Sequence, residues 1–122
     1  RGLGDVYKRQ DKSLIDALKN EHIYIAVETN GTLEAPDGID WICMSPKANT
    51  EIKLKKGSEV KVVYPQKNLN PDDFNVLDFK NFYIQPMDSQ SYEDNVSQAV
   101  KYCMRNPNWK LSLQTHKILG IR

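Results

Sequence analysis

The sequence predicts an α/β fold with a mainly parallel sheet and helices on the outer side of that sheet. Five short runs rich in β-branched and aromatic residues are separated by segments with helical periodicity or with turn residues. Such alternation favours parallel strands. The chain of 122 residues contains no internal repeat and suits one domain or one part of a larger one.

The first half of the chain is predicted to hold one helix and two strands. A helix over residues 11–20 has Asp11 as its cap and a regular apolar face. Strands are predicted over 22–27 and 39–44, where β-branched and aromatic residues are dense. The connection between them is rich in turn residues, and its Gly31 can accept a positive φ.

The second half is predicted to hold three strands and two helices. The strands cover residues 59–64, 81–84 and 110–115. A short helix begins at Asn70, and a longer one covers 91–106, with a serine cap and acids in its first turn. Residues of the longer helix predicted to face the core are Val96, Ala99, Val100 and Cys103.

Composition and charge exclude several classes of function. Seventeen basic and sixteen acidic residues leave a net charge of +1, so no overall field attracts nucleic acid or an anionic membrane. No apolar run approaches the roughly 20 residues of a membrane span. Cys43 and Cys103 match no zinc or redox spacing, which favours two reduced core thiols. These features predict a soluble cytoplasmic protein.

The first ten residues, RGLGDVYKRQ, are predicted to be a non-native leader. They show no apolar period, and residues 5–10 can be encoded by GAT-GTG-TAT-AAG-AGA-CAG, which resembles a transposon-end adapter read in frame. Native sequence is therefore expected to begin near Asp11. The true amino-terminal part of the protein would then be absent from this chain.

Polar side chains lie at or just past the carboxyl ends of the predicted strands. These residues are Glu28, Asn30, Ser45, Lys47, Gln85, Asp88, Thr115 and His116. In parallel sheets such groups line one edge of one cleft, where ligands bind. Glu28 suits ligand N–H groups, and Ser45 with Lys47 suits a carboxylate or ribose, although each also fits an ordinary polar turn. The sequence has no nucleophile motif, phosphate loop or metal-ligand spacing.

Five motifs carry a more specific pattern. They are ETNGT at 28–32, SPK at 45–47, QPMD at 85–88, PNWKLSLQTHK at 107–117 and GIR at 120–122. Together they resemble the carboxy-terminal half of the 7-carboxy-7-deazaguanine synthase family, over about residues 11–122. LSLQTHK with QPMD is the specific part, because related radical enzymes carry turns similar to ETNG.

The resemblance implies part of a modified (β/α) barrel and a radical carbon–nitrogen lyase of queuosine and 7-deazapurine biosynthesis. Such an enzyme converts 6-carboxy-5,6,7,8-tetrahydropterin to 7-carboxy-7-deazaguanine with loss of ammonia. The implied cofactors are S-adenosyl-L-methionine, a [4Fe-4S] cluster and Mg²⁺. The implied partners are the pterin substrate, an external electron donor and a second copy in a homodimer, with no nucleic acid and no membrane.

The resemblance also implies roles for individual residues. Substrate contacts are implied for Glu28, for His116 and for the terminal carboxylate of Arg122, which closes over the substrate. Contacts to S-adenosylmethionine are implied for Ser45, Lys47 and Gln85. Asn30 and Asp88 are implied to support these groups.

One departure from the family is large. The chain has no C-x3-C-x2-C motif, and Cys43 and Cys103 cannot replace three converging thiolates. The cluster, the glycine-rich cofactor loop and the magnesium residue are therefore expected upstream. No metal site is expected in this chain, which should be inactive alone. Two alternatives stay open, namely another radical enzyme of the activating type and a non-catalytic α/β module that binds a purine or pterin.

Overall fold

A computed structural model of the chain describes residues 4–113, with side chains described from residue 12 onward. This range contains two α-helices, one short 3-10 helix and five strands. In chain order they are α1 (Gly4–Asn20), β1 (Ala26–Thr29), β2 (Trp41–Met44), β3 (Lys56–Tyr64), the 3-10 helix (Pro71–Phe74), β4 (Asp78–Pro86), α2 (Tyr92–Arg105) and β5 (Trp109–Leu111). Neither α-helix in this range has the length and apolar character needed to cross a bilayer.

The five strands form one sheet in which every neighbouring pair is parallel. Their spatial order is β1-β2-β3-β4-β5, the same as their order in the chain. Within the described residues the sheet is open and does not close into a barrel. The predicted α/β class with a parallel sheet is confirmed.

The hydrophobic core lies between the sheet and α2. Met44, Val60, Val62 and Ile84 are fully buried there, and Trp109 is 2% exposed. The Trp109 ring contacts the rings of two further core residues, with centroid distances of 5.1 Å to Phe82 and 5.9 Å to Tyr102. Burial of these side chains, at about 25 cal/mol per Å² of apolar surface, is the main force that holds α2 on the sheet.

The position of α2 agrees with the prediction, and Ser91 occupies its N-cap position, although the Ser91 side chain makes no capping hydrogen bond. Its buried face is rotated relative to the predicted one. Ala99 is fully buried as expected, but Val100 is exposed, and Tyr102 takes its place in the core. Asn95 is also buried, because its amide group anchors the preceding loop.

The first helix and strand differ from the prediction. The helix begins at Gly4, so Asp11 lies inside it and is not its cap. Strand β1 begins at Ala26, four residues later than predicted, because residues 21–23 close the helix with backbone hydrogen bonds to Leu18 and Lys19.

The remaining strands also change length relative to the prediction. Strand β3 begins at Lys56, three residues before its predicted start at residue 59, and β4 extends from Asp78 to Pro86. Gln85 is therefore a strand residue and does not follow the strand. Strand β5 is shorter, although the Ser112 amide still donates to the Ile84 carbonyl at 2.8 Å. The predicted end of this strand, residues 114–115, lies outside the described range.

The segment between β3 and β4 is held by side-chain hydrogen bonds. Asn70 caps the 3-10 helix, as the sequence predicts for a helix start, and its Oδ1 accepts from the Asp72 amide at 3.0 Å. The Tyr102 hydroxyl donates to the Asp72 carboxylate. The Trp109 indole donates to Asn75 Oδ1 at 2.7 Å. These contacts fasten the 3-10 helix to α2 and β5.

Candidate functional site

The two faces of the sheet differ in chemistry, because successive side chains of a strand point to opposite faces. One face, the apolar face, carries Met44, Val60 and Ile84 and is covered by α2. No helix of the described range packs on the opposite face of β3 and β4. This second face, called the polar face, is defined by Glu28, Cys43, Glu59, Lys61, Asn81, Tyr83, Gln85 and Lys110.

A row of acidic character crosses the polar face from β1 to β3. Glu28 pairs in register with Cys43, and Cys43 pairs with Glu59. The Trp41 indole donates to Glu59 Oε1 at 3.1 Å, which fixes that carboxylate. Glu28 is exposed and makes no hydrogen bond within the described residues. It is therefore available to accept hydrogen bonds from a ligand.

The Cys43 thiol lies buried between Glu28 and Glu59 in this register. These three residues are called the acid row. Burial raises the pKa of Cys43, and the negative charges of Glu59 and Glu28 raise it further, while Lys61 opposes them. A raised pKa keeps the thiol protonated at neutral pH, so Cys43 is not an activated nucleophile. The prediction of two free thiols is confirmed within the described range.

The structure brings three of the predicted residues to the carboxyl edge of β1 and β2. Ser45 follows β2 directly, is nearly buried, and donates its backbone N–H to the Thr29 carbonyl at 2.7 Å. Asn30 follows β1, and its Oδ1 accepts from the Thr32 amide at 3.1 Å and from the Thr32 hydroxyl at 2.8 Å. Asn30 thus shapes the turn beside Glu28.

The turn after β1 also depends on Gly31. Its φ is 81°, the positive value expected for this position. A Cβ at Gly31 would clash with the Met44 sulfur, so the close approach excludes larger side chains. The backbone of this turn is therefore packed directly on the core residue that ends β2.

Two other predicted residues lie at the carboxyl end of β4. Gln85 is half-buried on the polar face of β4. It follows Tyr83 by two positions along the strand, so the two side chains are on the same face. Asp88 is exposed in the loop after β4. That loop is held by Asn95, whose amide donates to the Met87 carbonyl and to Ser89 Oγ, both at 3.0 Å.

Lys47 is not brought together with Glu28. It is exposed and lines a cavity of about 260 Å³ together with residues of the 3-10 region such as Asp73. Glu28 lines a different, larger cavity of about 740 Å³, which is mostly apolar and lies between α1 and β1. His116 and Arg122 lie outside the described residues.

Sequence reasoning missed the residues of the polar face that lie within strands. Glu59 and Lys61 alternate with buried valines in β3, and Asn81 and Tyr83 alternate with core residues in β4. This period of two was the available signal, because a half-buried strand shows such alternation.

The described residues do not fit an iron–sulfur cluster. Cys43 lies on the polar face, whereas Cys103 lies on α2 and packs against the core on the opposite side of the sheet. No group of three or more metal-ligating side chains is present in the described range. For S-adenosylmethionine, Ser45 and Gln85 fit better, because they offer a hydroxyl and an amide at the carboxyl edge.

Comparison with known proteins gives a consistent set of relatives. The chain is 50% identical over 119 residues to the 7-carboxy-7-deazaguanine synthase of Bradyrhizobium diazoefficiens, covering 98% of the chain and 57% of the relative. The synthases of Caulobacter vibrioides and Bordetella pertussis are 48% and 44% identical over 118 residues, each covering 97% of the chain and 56% of the relative. The chain thus spans a little more than half the length of these relatives. No protein-family model matches it.

Proposed function

This chain belongs to the 7-carboxy-7-deazaguanine synthase family, and from that premise we propose that the protein containing it produces 7-carboxy-7-deazaguanine. The observation that carries the proposal is the match of nearly the whole chain to synthases that are 44–50% identical to it. The polar face is proposed as this chain's part of the active site, because it is the open, hydrogen-bonding surface of the sheet.

The proposed reaction follows the motif resemblance. The substrate is 6-carboxy-5,6,7,8-tetrahydropterin, and ammonia leaves as the ring contracts. S-adenosylmethionine and a [4Fe-4S] cluster, with Mg²⁺, supply the radical chemistry when bound, and an external donor supplies electrons. Because the described residues offer no site for the cluster, that chemistry is assigned to the part of the relatives' length that this chain does not span. A homodimer is part of the same proposal.

Binding and orientation are the tasks left for this chain's own residues. Glu28 projects from the exposed end of the acid row and accepts hydrogen bonds from ring N–H and amino groups of the pterin. Ser45 and Gln85 hold polar groups of S-adenosylmethionine at the carboxyl edge, supported by the turn at Asn30. His116 and Arg122 are proposed as further substrate contacts. Strands give these groups rigid anchors, which positioning requires.

A chimeric protein tests the proposal. The segment of the Bradyrhizobium diazoefficiens relative that matches this chain is replaced by residues 11–122. After reconstitution with iron, sulfide, S-adenosylmethionine, Mg²⁺ and a reductant, the expected result is 7-carboxy-7-deazaguanine, detected by mass spectrometry. A chimera that folds and holds its cluster but yields no product, while the parent relative does, contradicts the proposal. Pterin binding without turnover would then favour a non-catalytic module.

Two substitutions in the chimera test the role of Glu28. Glu28→Gln removes a charged acceptor, and the loss of a hydrogen bond to a charged group predicts a fall in kcat/KM of roughly ten- to hundredfold. Glu51→Gln is the matched control, since Glu51 is an exposed loop glutamate away from the polar face. Equal rates for the two variants would remove Glu28 from the site.

A further inference from the structure

A second row of the polar face is basic. Lys61 pairs in register with Tyr83, and Tyr83 pairs with Lys110, so the three side chains stand side by side on three adjacent strands. Neighbouring strands lie about 4.8 Å apart, which places the outer two Cα atoms about 10 Å from each other. These three residues are called the basic row. It lies two residues closer to the carboxyl edge than the acid row.

Lys61 is the residue of the basic row that most strongly indicates a bound anion. Its side chain is half-buried in the middle of β3, yet it makes no hydrogen bond or ion pair with any described residue. Glu59, the acid closest along its strand on the same face, is engaged by the Trp41 indole. Partial burial of an ammonium group costs free energy unless an anion compensates it. Within the described residues, the Lys61 ammonium group therefore has no direct hydrogen-bond or ion-pair partner.

The other members of the basic row are positioned to act with Lys61. Lys110 Nζ donates to Asn81 Oδ1 at 3.3 Å and lies 6.0 Å from the centre of the Tyr83 ring. These contacts hold the Lys110 ammonium near the Tyr83 side chain, and they leave further N–H donors of the ammonium unused. The Tyr83 hydroxyl is an additional donor in the row.

We propose that the basic row is a carboxylate-binding subsite, with Lys61 as its main anchor and with Tyr83 and Lys110 as flanking donors. The proposal rests on the proposed function, because both the pterin substrate and S-adenosylmethionine carry a carboxylate. Ammonium and hydroxyl donors together match the two oxygens of such a group.

The acid row and the basic row place hydrogen-bond acceptors and donors at opposite ends of the polar face. Glu28 accepts hydrogen bonds on the β1 side, whereas the basic row donates them on the β3–β5 side. From the strand spacing and the rise along a strand, the Cα atoms of Glu28 and Lys61 are about 12 Å apart. A flat ligand with N–H donors at one end and a carboxylate at the other is therefore bound in one orientation only.

Binding of two matched ligand pairs to the 122-residue chain tests the subsite. One pair is 7-carboxy-7-deazaguanine and 7-deazaguanine, and the other is S-adenosylmethionine and its decarboxylated form. The members of each pair differ by the carboxylate. Affinities are measured by NMR titration of the chain, with the lysine ε-methylene signals as the reporter.

Lys61→Met is expected to weaken binding of a carboxylated ligand roughly ten- to hundredfold, without weakening its decarboxylated partner. Loss confined to 7-carboxy-7-deazaguanine assigns the subsite to the pterin-derived ligand, and loss confined to S-adenosylmethionine assigns it to the cofactor. Lys80→Met is the control, because Lys80 lies on β4 on the opposite face and is exposed. Unfolding curves of both variants establish that each is folded.

Two results would contradict the proposal that the basic row binds a carboxylate. One is equal affinity of wild type and Lys61→Met for both carboxylated ligands, and the other is absence of binding of either at millimolar concentration. The synthase proposal fails separately, when the chimera of residues 11–122 makes no product although the chain still binds a carboxylated ligand through Lys61. The binding assay and the turnover assay therefore distinguish the two failures.

Discussion

Removal of the Tyr102 hydroxyl measures how strongly α2 is fastened to the 3-10 helix. The phenol donates to the Asp72 carboxylate, while its ring lies 5.4 Å from the Tyr64 ring and 5.9 Å from the Trp109 ring. Tyr102→Phe keeps both ring contacts and deletes the hydrogen bond alone. Hydrogen bonds to charged groups contribute about 1.5–3 kcal/mol, and the exposure of Asp72 favours the lower end, about 1.5 kcal/mol.

Urea unfolding at pH 7, followed by circular dichroism, gives the free energy of unfolding. The expected loss corresponds to a fall in Tm of roughly 4–8 °C for a domain of this size. Tyr64→Phe is the matched control, because the Tyr64 hydroxyl forms no hydrogen bond within the described residues. That variant should change stability by less than about 0.5 kcal/mol. Equal losses in the two variants would refute the assignment of the stability to the Asp72 contact.

The stability difference between wild type and Tyr102→Phe should also depend on pH in a predictable direction. Burial raises the pKa of Tyr102, and the hydrogen bond to Asp72 and the negative charge of Asp72 raise it further. Above pH 10 the unfolded chain loses the phenolic proton while the native state keeps it, so wild type loses stability as pH rises. Tyr102→Phe lacks this loss. The stability difference between the two proteins should therefore narrow above pH 10, and a constant difference would contradict the argument.

Two further substitutions have defined outcomes. Gly31→Ala should destabilise the chain by about 1–3 kcal/mol in thermal unfolding, because it combines a positive φ with a clash against Met44; an unchanged Tm would contradict this reading. Asp40→Asn should lower stability at pH 7, and this loss should shrink as the pH is lowered into the acidic range. The hydrogen bond from Lys19 and then that from the Ile25 amide hold the pKa of Asp40 below its ordinary value. The stability that the carboxylate contributes is therefore present at neutral pH and is lost as the pH falls through the folded-state pKa.

The fold was predictable where local chemistry and packing agree. The cap at Ser91 and the apolar period of 91–106 predicted α2 to within one residue at each end. The first strand was misplaced because residues 22–25 have β-branched and aromatic side chains, yet Glu21 and His22 close α1 with backbone hydrogen bonds. Propensity alone cannot report that competition, since the helix and the strand use the same backbone groups.

The candidate site was predictable only in part for a different reason. Glu28, Ser45 and Gln85 could be chosen as candidates from the sequence because polar residues near strand ends are informative in parallel sheets. Lys61 and Lys110 were missed because a lysine in a strand is ordinarily solvated. Their significance depends on register between strands that are 22 and 27 residues apart in the chain. Register is a tertiary property, so a single strand does not reveal which residues stand in one row.

The coincidence of spatial and chain order in the sheet has a consequence for synthesis on the ribosome. Ala26 pairs with Trp41, and Phe82 pairs with Trp109, so every strand docks on the strand that emerged immediately before it. Within residues 4–113, no strand has to be inserted between two that are already paired. During translation, each new strand of this range therefore adds to the same edge of the sheet, from β1 to β5. Helix α2, which covers the core, is synthesised only after the first four strands.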